Sequence, residues 1–248
     1  MCFEMIRPTV GWLLVLAALP TVVVGQTTAS ATSKKTVKVS EVPSEPLAEP
    51  GETLFEDSFQ RDGLGEWKVV IPAFEVKDGV LVGHQGRDDH GAVGRIYRDM
   101  KDVVVDFRFR LEGSTTFNVV FDDKGYKGSH AGHICRIAFT PRAIRLGDDK
   151  EGVMRNDIFE MRRDPDRRAE ADLLLAGRGS SAPFELQQRK WYDVRIELVG
   201  DRMRVLIDGR PIGFLKSPGL AHATKTSLHF TVNGPGVHFD DVHICQAK

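Results

Sequence analysis

Cysteine is scarce, with three in 248 residues, which rules out a small scaffold stapled by disulfides. Charge of one sign is missing too. Lys plus Arg number 34 against 35 Asp plus Glu, a formal net charge of −1, so the whole-protein field gives no reason to expect capture of nucleic acid or of an anionic membrane. No Gly-x-x-x-x-Gly-Lys phosphate loop occurs, and Gly177-Arg178-Gly179-Ser180-Ser181 does not make the Gly-x-Ser-x-Gly turn of a serine nucleophile. Phosphoryl transfer and serine acyl transfer are therefore unsupported. A neutral ligand fits the composition better.

The apolar run that stands out is at the start, Trp12 to Val24, behind Arg7. It is roughly half to two thirds of the ~20 residues that span a bilayer. Ala29-Ser30-Ala31 then offers the small-x-small pattern read by signal peptidase. The expectation is a cleaved signal over residues 1–31, secretion or a periplasmic location, and no stable membrane insertion after cleavage. A cut after Gly25, a start at Met5 and a retained anchor stay open as alternatives. Residues 32–53 are Thr, Ser, Pro, Lys and Glu with few large apolar side chains, the composition of a disordered linker. Residues 54–248 are expected to form one domain, as a monomer.

Within that domain, strand signals dominate. Tyr192, Val194, Ile196 and Leu198 alternate with Asp193, Arg195 and Glu197, and Met203, Val205 and Ile207 repeat the pattern before Asp208-Gly209. Period-2 alternation marks half-buried strands, and Asp-Gly marks a tight hairpin. Asp78-Gly79 gives another hairpin, and Val103 to Leu111 a long alternating strand. Shorter strands follow at 117–121, 134–139, 143–146 and 158–162. Asp164-Pro165 opens one short helix, with Gly177 beyond its end. Phe239 and the pair Val242 and Ile244 fall on opposite phases, which calls for a β-bulge at Asp240-Asp241. Many short strands without βαβ alternation predict an all-β, two-sheet antiparallel sandwich.

Leu54-Phe55-Glu56-Asp57-Ser58-Phe59, Trp67, Asp78 to Gly83, Lys190 to Gly209 and Val237 to Ile244 together resemble the concanavalin A-like jelly rolls. The resemblance is to the 3-keto-disaccharide hydrolase-like family of secreted bacterial proteins. It implies a jelly-roll fold and a carbohydrate ligand. Ile158 to Arg162 is similar to that family's central strand, with Arg162 replacing a glutamine, and Asn233-Gly234 stands where the family often has His-Gly. Jelly rolls of this type often hold a structural calcium where the first and last strands meet. That implies Glu56 or Asp57, the Gly79 carbonyl, and Asp240 or Asp241 as oxygen ligands, against turn carboxylates bonding only to backbone and water. The Glu-x-Asp-x-x-Glu strand of family 16 glycoside hydrolases is absent, so two carboxylates at the ~5 Å separation of a retaining mechanism are not indicated.

Alternation selects a ligand face. Asn118, Asp122, Arg136, Glu160, Arg162, His229 and Thr231 all oppose core-facing neighbours. On one sheet they would offer amide, carboxylate, guanidinium and imidazole groups to sugar hydroxyls. Glu160 is expected as acceptor or general base, Arg136 and Arg162 as donors, and His229 as proton-transfer partner. His130, His133 and Cys135 lack the further ligand of a four-coordinate zinc site and read as a loop histidine pair beside a core thiol. Cys135 and Cys245 are the cysteines that remain after signal cleavage, either as a disulfide or as two buried thiols. Three functions remain: saccharide recognition, hydrolysis or elimination on an oxidised glycoside, and a structural or adhesive envelope module.

Overall fold

The computed structural model describes residues 35–36 and 41–248; the expected signal segment lies outside the described residues. The strands are β1 (Lys35–Thr36), β2 (Pro50–Asp57), β3 (Lys68–Ile71), β4 (Phe74–Lys77), β5 (Val80–Gly83), β6 (Ala92–Met100), β7 (Val103–Leu111), β8 (Thr116–Asp122), β9 (His133–Thr140) and β10 (Ala143–Asp148). After helices α1 (Asn156–Arg163) and α2 (Arg168–Leu174) come β11 (Gly179–Pro183), β12 (Trp191–Val199), β13 (Arg202–Ile207), β14 (Arg210–Lys216), β15 (Lys225–Asn233) and β16 (Val237–Ala247). They form two sheets. Sheet A runs β1-β11-β10-β9-β8-β15-β6-β3, and sheet B runs β14-β13-β12-β7-β16-β5-β4 with β2 also on β16. Apart from the parallel pair of β1 with β11, neighbouring strands are antiparallel. The two-sheet sandwich is thus the architecture that the alternation predicts.

Alternating apolar residues from both sheets meet in one core. Phe230 of sheet A stacks on Phe239 of sheet B at 4.0 Å between ring centroids, and Trp67 lies 5.4 Å from Phe230. Both Asp-Gly hairpins form, with positive φ at Asp78, Gly79, Asp208 and Gly209, the backbone that a two-residue turn with right-handed twist requires. The register of β16 against β7 shifts between Asp240 and His243, and Asp241 takes φ 48°. That bulge keeps Val242 and Ile244 in the core along with Phe239.

Two expectations change. Ile158 to Arg162 lies in α1, not on a strand. Ile158 and Met161, three apart, pack on Ala171 and Leu175, and a short apolar run fits that helical spacing as readily as period 2. The linker is ordered well before Leu54. Arg204 and Glu197, 2% and 1% exposed, pair at 2.9 Å; Arg204 donates to the Ser44 carbonyl and Glu197 accepts from the Leu47 N–H. A polar segment with little apolar area is thus held by a buried ion pair instead of a core. Of the two alternatives for Cys135 and Cys245, the structure has the buried free thiols and not the disulfide, with Cys135 on sheet A and Cys245 on sheet B beside His243 and Thr53. Among the described residues no helix is long and apolar enough to cross a membrane.

Candidate functional site

The face of sheet A turned away from the core is assembled by register. Arg95, His229, Val120 and Arg136 stand side by side on β6, β15, β8 and β9; Thr231, Asn118 and Ala138 form the next row. Inward neighbours Phe117, Val119, Phe121, Ile137, Leu228 and Phe230 are fully buried, so alternation fixes the outward set. Asn118, Arg136, His229, Thr231 and Arg95 line a cleft of about 490 Å³. One wall is aromatic: His130 stacks on Phe159 of α1, centroids 4.4 Å apart and planes within 10°.

Three side chains of this cleft, Arg95, His133 and His229, converge on Asp122, which is 3% exposed. His133 Nδ1 lies 2.5 Å from Oδ1, and His229 Nδ1 and Arg95 Nη2 each lie 2.9 Å from Oδ2. Burial works to raise the Asp122 pKa, but the hydrogen bonds and charge of His133 and His229 outweigh it and hold the carboxyl below its usual range. Burial also lowers the pKa of His229, against its contact with Asp122 and the charge of that carboxylate. With each Nδ1 turned to Asp122, each Nε2 is left as the free ring nitrogen. For His133 this is the arrangement of a carboxylate that fixes a histidine's tautomer, whereas His229 Nδ1 is shared between Asp122 and Arg95 Nη2.

The ligand atoms of Asp122, His133 and His229 lie within 4.8 Å of one another, and among the described residues this is the single grouping of His, Cys, Asp and Glu so placed to hold a cation. The fold itself brings one there: Arg95 Nη2 is also 3.3 Å from His229 Nδ1. The oxygens expected for calcium have other partners. Asp57 accepts from the Phe59 N–H, Arg61 and Trp67 Nε1, and the Gly79 carbonyl accepts from Gln60. Asp240 Oδ1 accepts from the Asp241 N–H, while Glu56 and Asp241 line an open cleft with Arg61. The guanidinium of Arg61 occupies this corner, so the residues present do not fit a calcium ion without displacing it.

Arg136 donates from Nε to Asp149 Oδ2 at 2.6 Å, and Asp149 is wholly buried. Burial raises the Asp149 pKa against the opposing charge of Arg136. Arg136 and Asn118 also line a second cleft of about 290 Å³ that continues along the face to Arg162 on α1. Glu160 is the misplaced residue. Its side chain is 67% exposed, lies 3.6 Å from Arg163 and lines neither cleft, because the helix rotates it away from Phe159 and Arg162.

Arg95 and Asp149 are functional candidates that sequence patterning does not reach, and His133 is one that it reads as a loop histidine. Arg95 and Tyr97 alternate with Gly94 and the buried Ile96, a usable but short signal. His133 shares its odd phase with Cys135, which points inward; the register shift opposite Phe121 and Asp122 re-phases β9 and turns His133 outward.

No family model matches the sequence, and no curated protein matches it. Solved structures do resemble the fold. A protein of unknown function with a galectin-like fold from Bacillus subtilis aligns at TM-score 0.56 and 13% identity, over 81% of this chain and 99% of that one. A non-specific endo-β-1,3(4)-glucanase of glycoside hydrolase family 16 aligns at 0.54 and 12%, over 84% and 98%. A sialidase aligns at 0.54 and 13% over 81% of this chain, which spans only 19% of that protein. These likenesses establish a jelly-roll β-sandwich.

Proposed function

We propose that the protein is an exported saccharide-recognising sandwich whose ligand lies on the outer face of sheet A. The observation that carries this reading is the convergence of Asn118, Thr231, Arg95 and Arg136 with the Asp122–His133–His229 cluster in one cleft, beside a stacked aromatic wall. Amide, hydroxyl and guanidinium groups suit the donor and acceptor pattern of sugar hydroxyls, and ring faces suit their C–H surfaces. The glucanase and sialidase names among the similar folds are consistent with this ligand class. Retaining glycosidase chemistry is not part of the proposal, since the paired-carboxylate strand is absent and the floor of the cleft carries histidines.

One observation favours a second reading, turnover of a 3-keto glycoside of the kind the sequence resemblance implies. Elimination from such a substrate needs a base to remove the C2 proton, acidified by the adjacent ketone, and an acid to protonate the departing glycosidic oxygen; water then adds if the outcome is hydrolysis. His229, its pKa lowered by burial and its ring 2.9 Å from Asp122, is a suitable base, and His133, 5.8 Å away between ring centroids, a suitable partner. A glycan array with the whole protein, run beside a reducing-sugar and 3-keto-glycoside turnover assay, separates the possibilities. Binding without turnover supports the first reading and turnover the second. Silence in both overturns both and leaves a structural or adhesive module.

A further inference from the structure

The second cleft has a chemistry that neutral sugar recognition does not require. Arg136, Arg145, Arg162 and Arg178 line it, against Asp148, Asp149 and Asp172. Two of those carboxylates are committed inside the fold. Asp148 accepts from Ser217 Oγ and from the Gly219 and Glu151 N–H groups, and Asp149 accepts from Arg136. The side chains of Arg145, Arg162 and Arg178 have no ion-pair or hydrogen-bond partner among the described residues, and Arg178 Nε is buried without one. That leaves three free guanidinium groups facing one free carboxylate, Asp172.

Three different elements deliver those arginines. Arg145 stands on β10 in the same row as Ala138, Asn118 and Thr231, about 10 Å from Asn118 at the usual strand spacing. Arg162 comes from the last turn of α1 and Arg178 from the residue leading into β11. The cleft adjoins the first through Asn118 and Arg136, so a chain of two or more sugar units lying along the face would pass from the histidine cluster onto the arginines. Guanidinium groups without an internal partner, converging on a cleft, match the forked oxygens of a carboxylate or sulfate.

We infer that Arg145, Arg162 and Arg178 form an anion-binding subsite and that the saccharide is acidic, carrying a uronate carboxylate or a sulfate ester one unit away from the Asp122–His133–His229 cluster. This inference rests on the saccharide reading above. The test compares the whole protein's affinity for three oligosaccharides of equal length: one neutral, one with a glucuronate unit, one with a sulfate ester. Preference for either acidic ligand by about tenfold or more is expected, and which of the two is preferred identifies the anion. The preference should fall with rising salt and drop sharply in Arg145→Ala, an exposed position, with the neutral affinity unchanged. Equal affinity for neutral and acidic ligands, or an acidic preference that survives in that variant, overturns the subsite and leaves saccharide binding standing. No binding of any of the three overturns the saccharide reading, and this inference falls with it.

Discussion

Substituting Asp122 by Asn keeps the shape of the side chain and removes the charge on which the site is centred. In the native protein this carboxylate accepts from His133, His229 and Arg95 at 2.5–2.9 Å. Hydrogen bonds to a charged group contribute about 1.5–3 kcal/mol each, and breaking a buried ion pair costs about 3–5 kcal/mol. Arg95 and His133 are 20% and 16% exposed and regain some water, so the lower end applies, about 3 kcal/mol. For a domain of this size that is a fall in Tm of about 6–12 °C. The pH dependence follows from the direction of the shift. The folded Asp122 pKa lies below its unfolded value, so its contribution is full above about pH 4 and is lost as pH falls toward the folded value. Thermal melts of wild type and Asp122→Asn should therefore differ most near neutrality and converge in acid. Equal Tm values near neutrality, or a gap that persists unchanged into acid, would refute the account of the cluster.

Other outcomes follow from the same contacts. Glu197→Ala should cost about 3–5 kcal/mol by stranding the buried Arg204 and should release residues 41–49 to faster hydrogen exchange, whereas Glu197→Met/Arg204→Leu should cost much less; equal destabilisation in the two would contradict this. Glu160→Gln should leave binding, turnover and Tm as in wild type, because its side chain lines neither cleft. By contrast, Arg136→Ala should lower Tm as well as binding, since it leaves Asp149 buried without its partner, and an unaltered melt would show that this ion pair matters little. Melts in excess calcium and in chelator should coincide, because calcium would have to displace Arg61 from Asp57; a rise in Tm with calcium would place an ion there.

Much of the fold is legible in residue order because it depends on local devices. Alternation in β7, β8 and β12, Asp-Gly hairpins and the phase conflict at Asp240-Asp241 each determine backbone geometry within a few residues. The outward positions of Asn118, Arg136, His229 and Thr231 follow from the same alternation. What sequence did not disclose depends on tertiary context. Phe159-Glu160-Met161 fits a strand or a helix equally until Ala171 and Leu175 supply a packing partner. The register shift that turns His133 toward Asp122 involves two strands at once. The burial of Glu197 and Arg204 depends on Ser44 and Leu47, about 150 residues away in sequence, and nothing in that polar segment's composition announces the contact.

The central claim is that the outer face of sheet A is the ligand surface. It is tested most directly by titrating the protein calorimetrically with the strongest saccharide from the glycan array, in wild type and in Asn118→Ala/Thr231→Ala. Both side chains point into the cleft and neither has a side-chain hydrogen bond to another described residue, so the fold should survive their removal. The account predicts a loss of affinity of about tenfold or more with Tm unchanged. Wild-type affinity in the double variant would place the ligand elsewhere on the protein.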